Sequence, residues 1–239
     1  MDNLRQLIKK KTPVWFMRQA GRYLPEFRKI RSQNQDFIKL CLNSSLSSEI
    51  TLQPIERFDL DSAIIFSDIL MVPYALGQNV VFERNQGPQM SSFDLKTFLN
   101  NNEKEFSKKL SPIYKSIEIT RKNLKKEKSL ISFIGAPWTL LIYMLNIKKN
   151  KNEINFEEIK KQEHNISQIL NELIRYLCIH IKNQIESGAD VVQIFDSWAG
   201  LIPSENIKEY CFNTNAQIVQ FCRKEKIPNI CFPKGIKEK

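Results

Sequence analysis

Only two histidines, seven glycines and five cysteines occur among the 239 residues. The cysteines, Cys41, Cys178, Cys211, Cys222 and Cys231, are odd in number and never form a CxxC pair. Neither a disulfide framework nor a zinc site is suggested, and a reducing cytoplasm is the expected setting. His164 and His180 fall in one long helical pattern with no second ligand at metal spacing, so they read as helix-surface or packing residues. No GxGxxG and no Walker loop follows an apolar run, which leaves nucleotide binding without its usual signature. No apolar stretch approaches the length needed to cross a bilayer, and MDNLRQLIKKK lacks the apolar core of a signal peptide. The expectation is no membrane partner and no secretion.

What is abundant is positive charge. Lys and Arg outnumber Asp and Glu by 36 to 26, a formal net charge of +10 that favours an anionic partner. Much of the excess is lysine scattered through stretches such as LKKEKS and IKKNKNE, the pattern of a solvated face. The aromatics sit in apolar runs rather than between basic residues, so nucleic acid is not the expected ligand. With 42% hydrophobic and 26% charged residues, the composition fits one globular domain over residues 1–239.

Four short apolar runs end in polar or glycine-containing turns: SAIIFS before Asp68, SLISFIG before Ala136 and Pro137, DVVQIF before Asp196 and Ser197, and NICF before Pro233. Their near-continuous Val, Ile and Phe content predicts strands of a parallel sheet covered on both faces. Helical periodicity over residues 94–126 and 156–187 separates them, the second segment stopping at Ser187 and Gly188. Residues 78–92 read as a hairpin or irregular excursion, and NNEKEFSKK and NIKKNKNE as exposed connections. Strand and helix alternate, which means α/β architecture, either a doubly wound sheet or a (β/α)8 barrel. In both, ligands bind at the carboxyl ends of the strands, where Asp68, Trp138, Ser197, Trp198 and Lys234 fall. Without nucleotide loops the barrel gains. Only about four of its strands can be counted, and the last leads into PKGIKEK with no helix after it, so an incomplete barrel is expected, from a truncated product or a fragment.

The densest cluster of chemistry is PVWFMRQAGRYLPEFRKIR, residues 13–31, which sets Arg18, Arg22, Arg28 and Arg31 among bulky apolar residues. Trp15, Phe16, Met17, Tyr23, Leu24 and Phe27 are expected to seek a core. The arginines among them must then snorkel outward or find anionic partners. Arginine suits bidentate capture of carboxylates, and Gly21 permits close backbone approach. Spacing alone leaves open a surface helix whose arginines meet Glu26 or Asp36.

PVWFMRQAGRYLPEFR, LQPIERFDLDSAIIFSDILMVPYALG, GAPWTLLIYM, QIFDSWAG and FPKG, in that order over residues 13–235, together resemble the uroporphyrinogen decarboxylase family. The resemblance implies a TIM-type (β/α)8 barrel that converts the four acetate side chains of uroporphyrinogen to methyl groups, giving coproporphyrinogen, without metal or organic cofactor. It further implies a homodimer. By resemblance, Asp68 is the central carboxylate that accepts hydrogen bonds from the pyrrole N–H groups. Arg18 and Arg22, with the backbone of Gln19, Ala20 and Gly21, bind the peripheral carboxylates; Arg18 stands beside the reacting acetate, and Tyr143 and Ser197 hydrogen-bond the substrate. The family's further substrate-binding histidine falls beyond this chain's last residue. Without the resemblance, Asp68 reads equally as a helix N-cap and Tyr143 as a packed helix tyrosine.

Two other readings compete. A related barrel methyltransferase of the zinc or corrinoid type would need a His-x-Cys set that this sequence does not contain. A non-catalytic porphyrinogen-binding remnant would keep the arginine clamp without turnover.

Overall fold

The runs SAIIFS, SLISFIG, DVVQIF and NICF form neighbouring strands of one parallel sheet, as their composition implies. The computed structural model describes residues 12–21, 23–83, 87–150, 153–161 and 163–236. In chain order these form α1 (Pro25–Gln33), α2 (Phe37–Cys41), α3 (Ser44–Phe58), β1 (Ser62–Ile64), α4 (Met71–Ala75), β2 (Val80–Glu83) and β3 (Gly87–Met90). There follow α5 (Leu95–Leu99), α6 (Glu103–Asn123), β4 (Ser129–Gly135), α7 (Pro137–Met144), β5 (Lys148–Asn150), β6 (Glu153–Ile154), α8 (Phe156–Lys161) and α9 (Glu163–Glu186). The chain closes with β7 (Val191–Asp196), a π-helical stretch over Lys208–Asn213 that runs into α10 (Thr214–Lys224), and β8 (Asn229–Pro233).

The sheet runs in the order β1-β4-β7-β8, parallel at every step. Both faces carry buried side chains, as expected, but they are covered differently. Ala63, Ile65, Leu130, Ile134, Val192 and Ile194 point into the large core shared with the helices. Ile64, Ile131 and Val191 point the other way, into a small cluster joined by Trp15, Phe133, Phe195 and Ile230. Helices thus cover one face of this parallel sheet, and side chains gather on the other. Residues 78–92 form the β2–β3 hairpin, and NIKKNKNE, expected as a plain connection, contains the β5–β6 hairpin.

The amino ends of the strands are tied by charge. Arg121 donates to Asp190 at 3.0 Å and to the carbonyls of Leu124, Lys125 and Lys128, and the nearly buried Lys128 ammonium reaches Asp59 at 2.6 Å and the Leu60 carbonyl at 2.7 Å. α9 ends at Gly188, whose φ of +110° closes the turn into β7 and leaves room for the Arg121 stem. Between α6 and α9, His180 is buried with Nδ1 3.0 Å from the Tyr114 hydroxyl, while Asn183 donates to that hydroxyl and to Ser107 Oγ. His180 is thus a packing residue, as its helical setting implied. The side chain of His164 lies outside the described residues.

Candidate active site

The carboxyl ends of β1, β4 and β7 bring three sequence motifs together. After β1, Asp68 turns its Oδ1 onto the Leu70 amide at 2.9 Å, and its carbonyl accepts from Met71 N at 3.2 Å. The carboxylate thus closes the turn that leads into α4, whose N-cap is Leu70 and not Asp68, and among the described residues it accepts no other hydrogen bond. Burial pushes the Asp68 carboxyl up to about 6, against the Leu70 amide and the Arg18 guanidinium, which both pull it down.

After β4, Pro137 occupies the first turn of α7, where its fixed φ suits a helix start. α7 carries Tyr143 back over the strand ends. Burial raises the Tyr143 hydroxyl, and its titration also senses the Asp68 charge and, oppositely, Arg18. Arg18, Asp68 and Tyr143 thus share one electrostatic neighbourhood. Tyr143 is at the same time a packed helix residue, set edge-on to Trp198 with ring centroids 5.9 Å apart.

After β7, Ser197 is partly buried at the strand end. The adjoining backbone is fixed by a lock that sequence reading did not foresee: Thr139 Oγ1 donates to Asp196 Oδ1 at 2.8 Å and accepts from Trp198 N at 3.2 Å, while Asn215 donates to Asp196 Oδ2 at 3.0 Å. Trp138 Nε1 holds the Trp198 carbonyl at 3.1 Å. Asp196 faces the helical layer, so this carboxylate positions a loop and does not line the strand mouth. The only sequence signal for it was a buried-looking Asp at a strand end, which Asp68 shares.

The loop after β8 packs on the loop after β7 backbone to backbone. Gly200 N donates to the Lys234 carbonyl at 2.9 Å, and a Cβ on Gly200 would lie 2.9 Å from the Gly235 Cα. Lys234 itself is exposed.

The arginine-rich segment departs from two expectations. Residues 13–21 are not helical; α1 begins only at Pro25, so Arg18 lies on a strap pinned to the start of β1. Val14 N donates to Asp61 Oδ2 at 2.8 Å, and the buried Gln19 donates to the Ser62 carbonyl at 2.9 Å while accepting from Phe16 N at 3.1 Å. Gln19 is consumed in holding the strap; Ala20 is partly buried and Gly21 buried beneath the Tyr23 ring. Leu24 and Phe27 reach the core, but Phe16 at 60% and Tyr23 at 58% exposure do not, and Met17 is also exposed. An extended strap has one face against the sheet edge, too little to bury all six apolar residues. Arg31 pairs with neither Glu26 nor Asp36: it donates to the Asn34 carbonyl and lies over the Phe37 ring, whereas Glu26 pairs with Arg57 and Asp36 caps α2. Arg22 lies outside the described residues. Among the described residues no three His, Cys, Asp or Glu side chains converge as a metal site, and no helix is long and apolar enough to cross a membrane.

Comparison with known proteins agrees with these motifs. The family model described as uroporphyrinogen decarboxylase matches residues 4–238. A uroporphyrinogen decarboxylase of Orientia tsutsugamushi (strain Ikeda) is 46% identical over 94% of this chain, and one of Campylobacter jejuni (strain RM1221) is 40% identical over 94%. The chain spans 66% of the length of the first and 68% of the second. A methyltransferase from Methanosarcina mazei shares the fold, with a TM-score of 0.73 at 14% identity, over 96% of this chain and 68% of its own. By the extent of the family match and the identity to these relatives, the chain is a member of the uroporphyrinogen decarboxylase family.

Proposed function

We propose that the protein decarboxylates the four acetate side chains of uroporphyrinogen III to give coproporphyrinogen III in porphyrin and haem biosynthesis. The observation that carries the reading is Asp68: a sheltered carboxylate at a strand mouth, hydrogen-bonded among the described residues only to the Leu70 amide, with Arg18 near enough to hold its charge. The pyrrole N–H groups of a porphyrinogen are donors that converge on the ring centre, and an ionised carboxylate is a pure acceptor with about four lone-pair sites.

The reaction replaces each CO2 by a proton. Protonation of the α-carbon of the electron-rich pyrrole makes an iminium that accepts the electron pair left as the C–C bond to CO2 breaks. Protonation of the resulting exocyclic methylene carbon and loss of the ring proton then restore the pyrrole as its methyl derivative. The reduced ring is its own electron sink, so the polypeptide has to bind the acid arms and stabilise cationic ring charge. Asp68, ionised, does the second by a preorganised field. Arg18 holds the reacting acetate and balances Asp68; a guanidinium keeps its proton too tightly to be a good general acid. In this reading Tyr143 and Ser197 serve as hydrogen-bond partners of the substrate, and Arg22 with the backbone of Gln19 to Gly21 as further carboxylate contacts. The parallel sheet with helices on one face supports a (β/α)8 barrel for the whole enzyme, and we extend the proposal to a cytoplasmic homodimer.

Anaerobic incubation with uroporphyrinogen III, followed by separation of the oxidised porphyrins by carboxylate number, tests the reading. Stepwise loss of carboxylates to coproporphyrin is expected with the wild type and not with Asp68→Ala; an octacarboxylate left unchanged by folded wild-type protein, or converted equally by Asp68→Ala, overturns it.

A further inference from the structure

Beyond Tyr143, the row of site residues continues through Trp198 to a cation that no motif picked out. The Lys148 ammonium lies 4.7 Å from the centroid of the Trp198 ring, whose other neighbour is Tyr143. Trp198 is not free to follow it, because its amide and carbonyl are fixed by Thr139 and Trp138. Nor is the backbone of Lys148 loose. It pairs with Ile154 in the β5–β6 hairpin, the buried Ile147 and Ile154 anchor that hairpin to the core, and Asn155 N closes it onto the Ile147 carbonyl at 2.7 Å.

The hairpin's polar groups divide their work. Lys149 forms an ion pair with Glu153 at 2.9 Å, and Asn150 donates to the same carboxylate at 3.2 Å. Among the described residues no carboxylate pairs with Lys148. An exposed ammonium held over an indole loses little of its hydration and has donors to spare.

We propose that Lys148 is a carboxylate-binding residue at the rim of the site, taking an acid arm of the polycarboxylate ligand beside Trp198. The assignment rests on the functional reading above and adds to it a specificity residue and a role for the β5–β6 hairpin. Trp198 sets where the ammonium waits, so that little side-chain freedom is lost when the arm arrives. A ring that carries acid arms all round its edge needs more than one cation, and Lys148 supplies one from the β5–β6 hairpin, a different element from the strap that bears Arg18.

The test compares wild type, Lys148→Ala and Lys148→Arg by Kd for uroporphyrin, the oxidised octacarboxylate, from tryptophan fluorescence quenching at several salt concentrations, together with kcat and KM for uroporphyrinogen. Lys148→Ala is expected to raise Kd and KM by about threefold to tenfold, to leave kcat within about twofold, and to flatten the salt dependence of Kd; Lys148→Arg restores all three. Equal Kd and salt slope in wild type and Lys148→Ala overturn the assignment to Lys148 while leaving the decarboxylase reading standing. A wild type that neither binds uroporphyrin nor converts uroporphyrinogen overturns both.

Discussion

Gly200 N donates to the Lys234 carbonyl at 2.9 Å, and this backbone bond, beside that from Lys234 N to the Asp196 carbonyl at 3.0 Å, ties the loop behind Ser197 to the loop behind β8. The contact exists because neither Gly200 nor Gly235 has a side chain. A Cβ at position 200 would meet three Gly235 backbone atoms within 3.0 Å, and backbone cannot swing aside as a flexible side chain does. Gly200→Ala is therefore expected to destabilise the protein by about 1–3 kcal/mol, the usual cost of overpacking, read as a lower urea midpoint with unchanged slope. Gly77→Ala is a contrasting case: its Cβ would have an ordinary 3.6 Å contact, so the cost there comes from its φ of +95° alone.

Asp68 is where stability and chemistry pull apart. Burial raises its carboxyl from the usual range to about 6, so the charged form is disfavoured in the folded state relative to the unfolded chain. The stability associated with Asp68 is present below about pH 4 and is lost as pH rises through about 6. Asp68→Asn keeps the shape and removes the charge. Its thermal midpoint is expected to exceed that of the wild type at pH 8, with the difference closing as the pH falls toward 4, and the variant is expected to be inactive.

Arg18 is predicted to act twice. Arg18→Ala removes a carboxylate contact and also the cation that holds Asp68 down. Turnover of uroporphyrinogen is expected to fall on the order of 10²-fold, as when one preorganised charge-stabilising group is lost. The acid limb of kcat/KM against pH, near 6 in the wild type, is expected to move upward; a limb that stays in place would separate Arg18 from Asp68.

How much of this was legible in the sequence follows from where the information sits. Strand positions, the β2–β3 hairpin and the helix stop at Gly188 are local, written in runs of Val and Ile and in turn residues, and they appear where expected. Which face of the sheet the helices cover is not local. Continuous apolar runs predict burial on both faces, and only the register of β1, β4 and β7 separates the helix side from the Trp15 side. The same holds at the site: Arg18, Asp68 and Tyr143 were visible through motif order, whereas the Thr139 and Asp196 lock and Lys148 over Trp198 join residues about 57 and 50 positions apart whose types are ordinary. Arg31 misled because charge spacing names candidate partners but not the nearer Asn34 carbonyl and Phe37 ring.

The helical layer carries its own pH dependence. His180 is buried against Tyr114 and Phe106, and burial drives its imidazole down to about 3. A histidine kept neutral in the fold takes up its proton on unfolding, so the stability it contributes is full above about pH 6.5 and is lost as pH falls toward 3. Tyr114→Phe leaves His180 Nδ1 and one Asn183 donor contact without the hydroxyl, and is expected to cost about 1–3 kcal/mol in urea unfolding at pH 7.

The account turns on the direction in which the bound macrocycle presents its nitrogens, and a crystal structure of the protein with coproporphyrinogen measures that directly. The prediction is a ring seated at the strand mouth with its pyrrole nitrogens within hydrogen-bond distance of the Asp68 carboxylate and an acid arm on Arg18. A ring bound with its nitrogens turned away from Asp68 would contradict it.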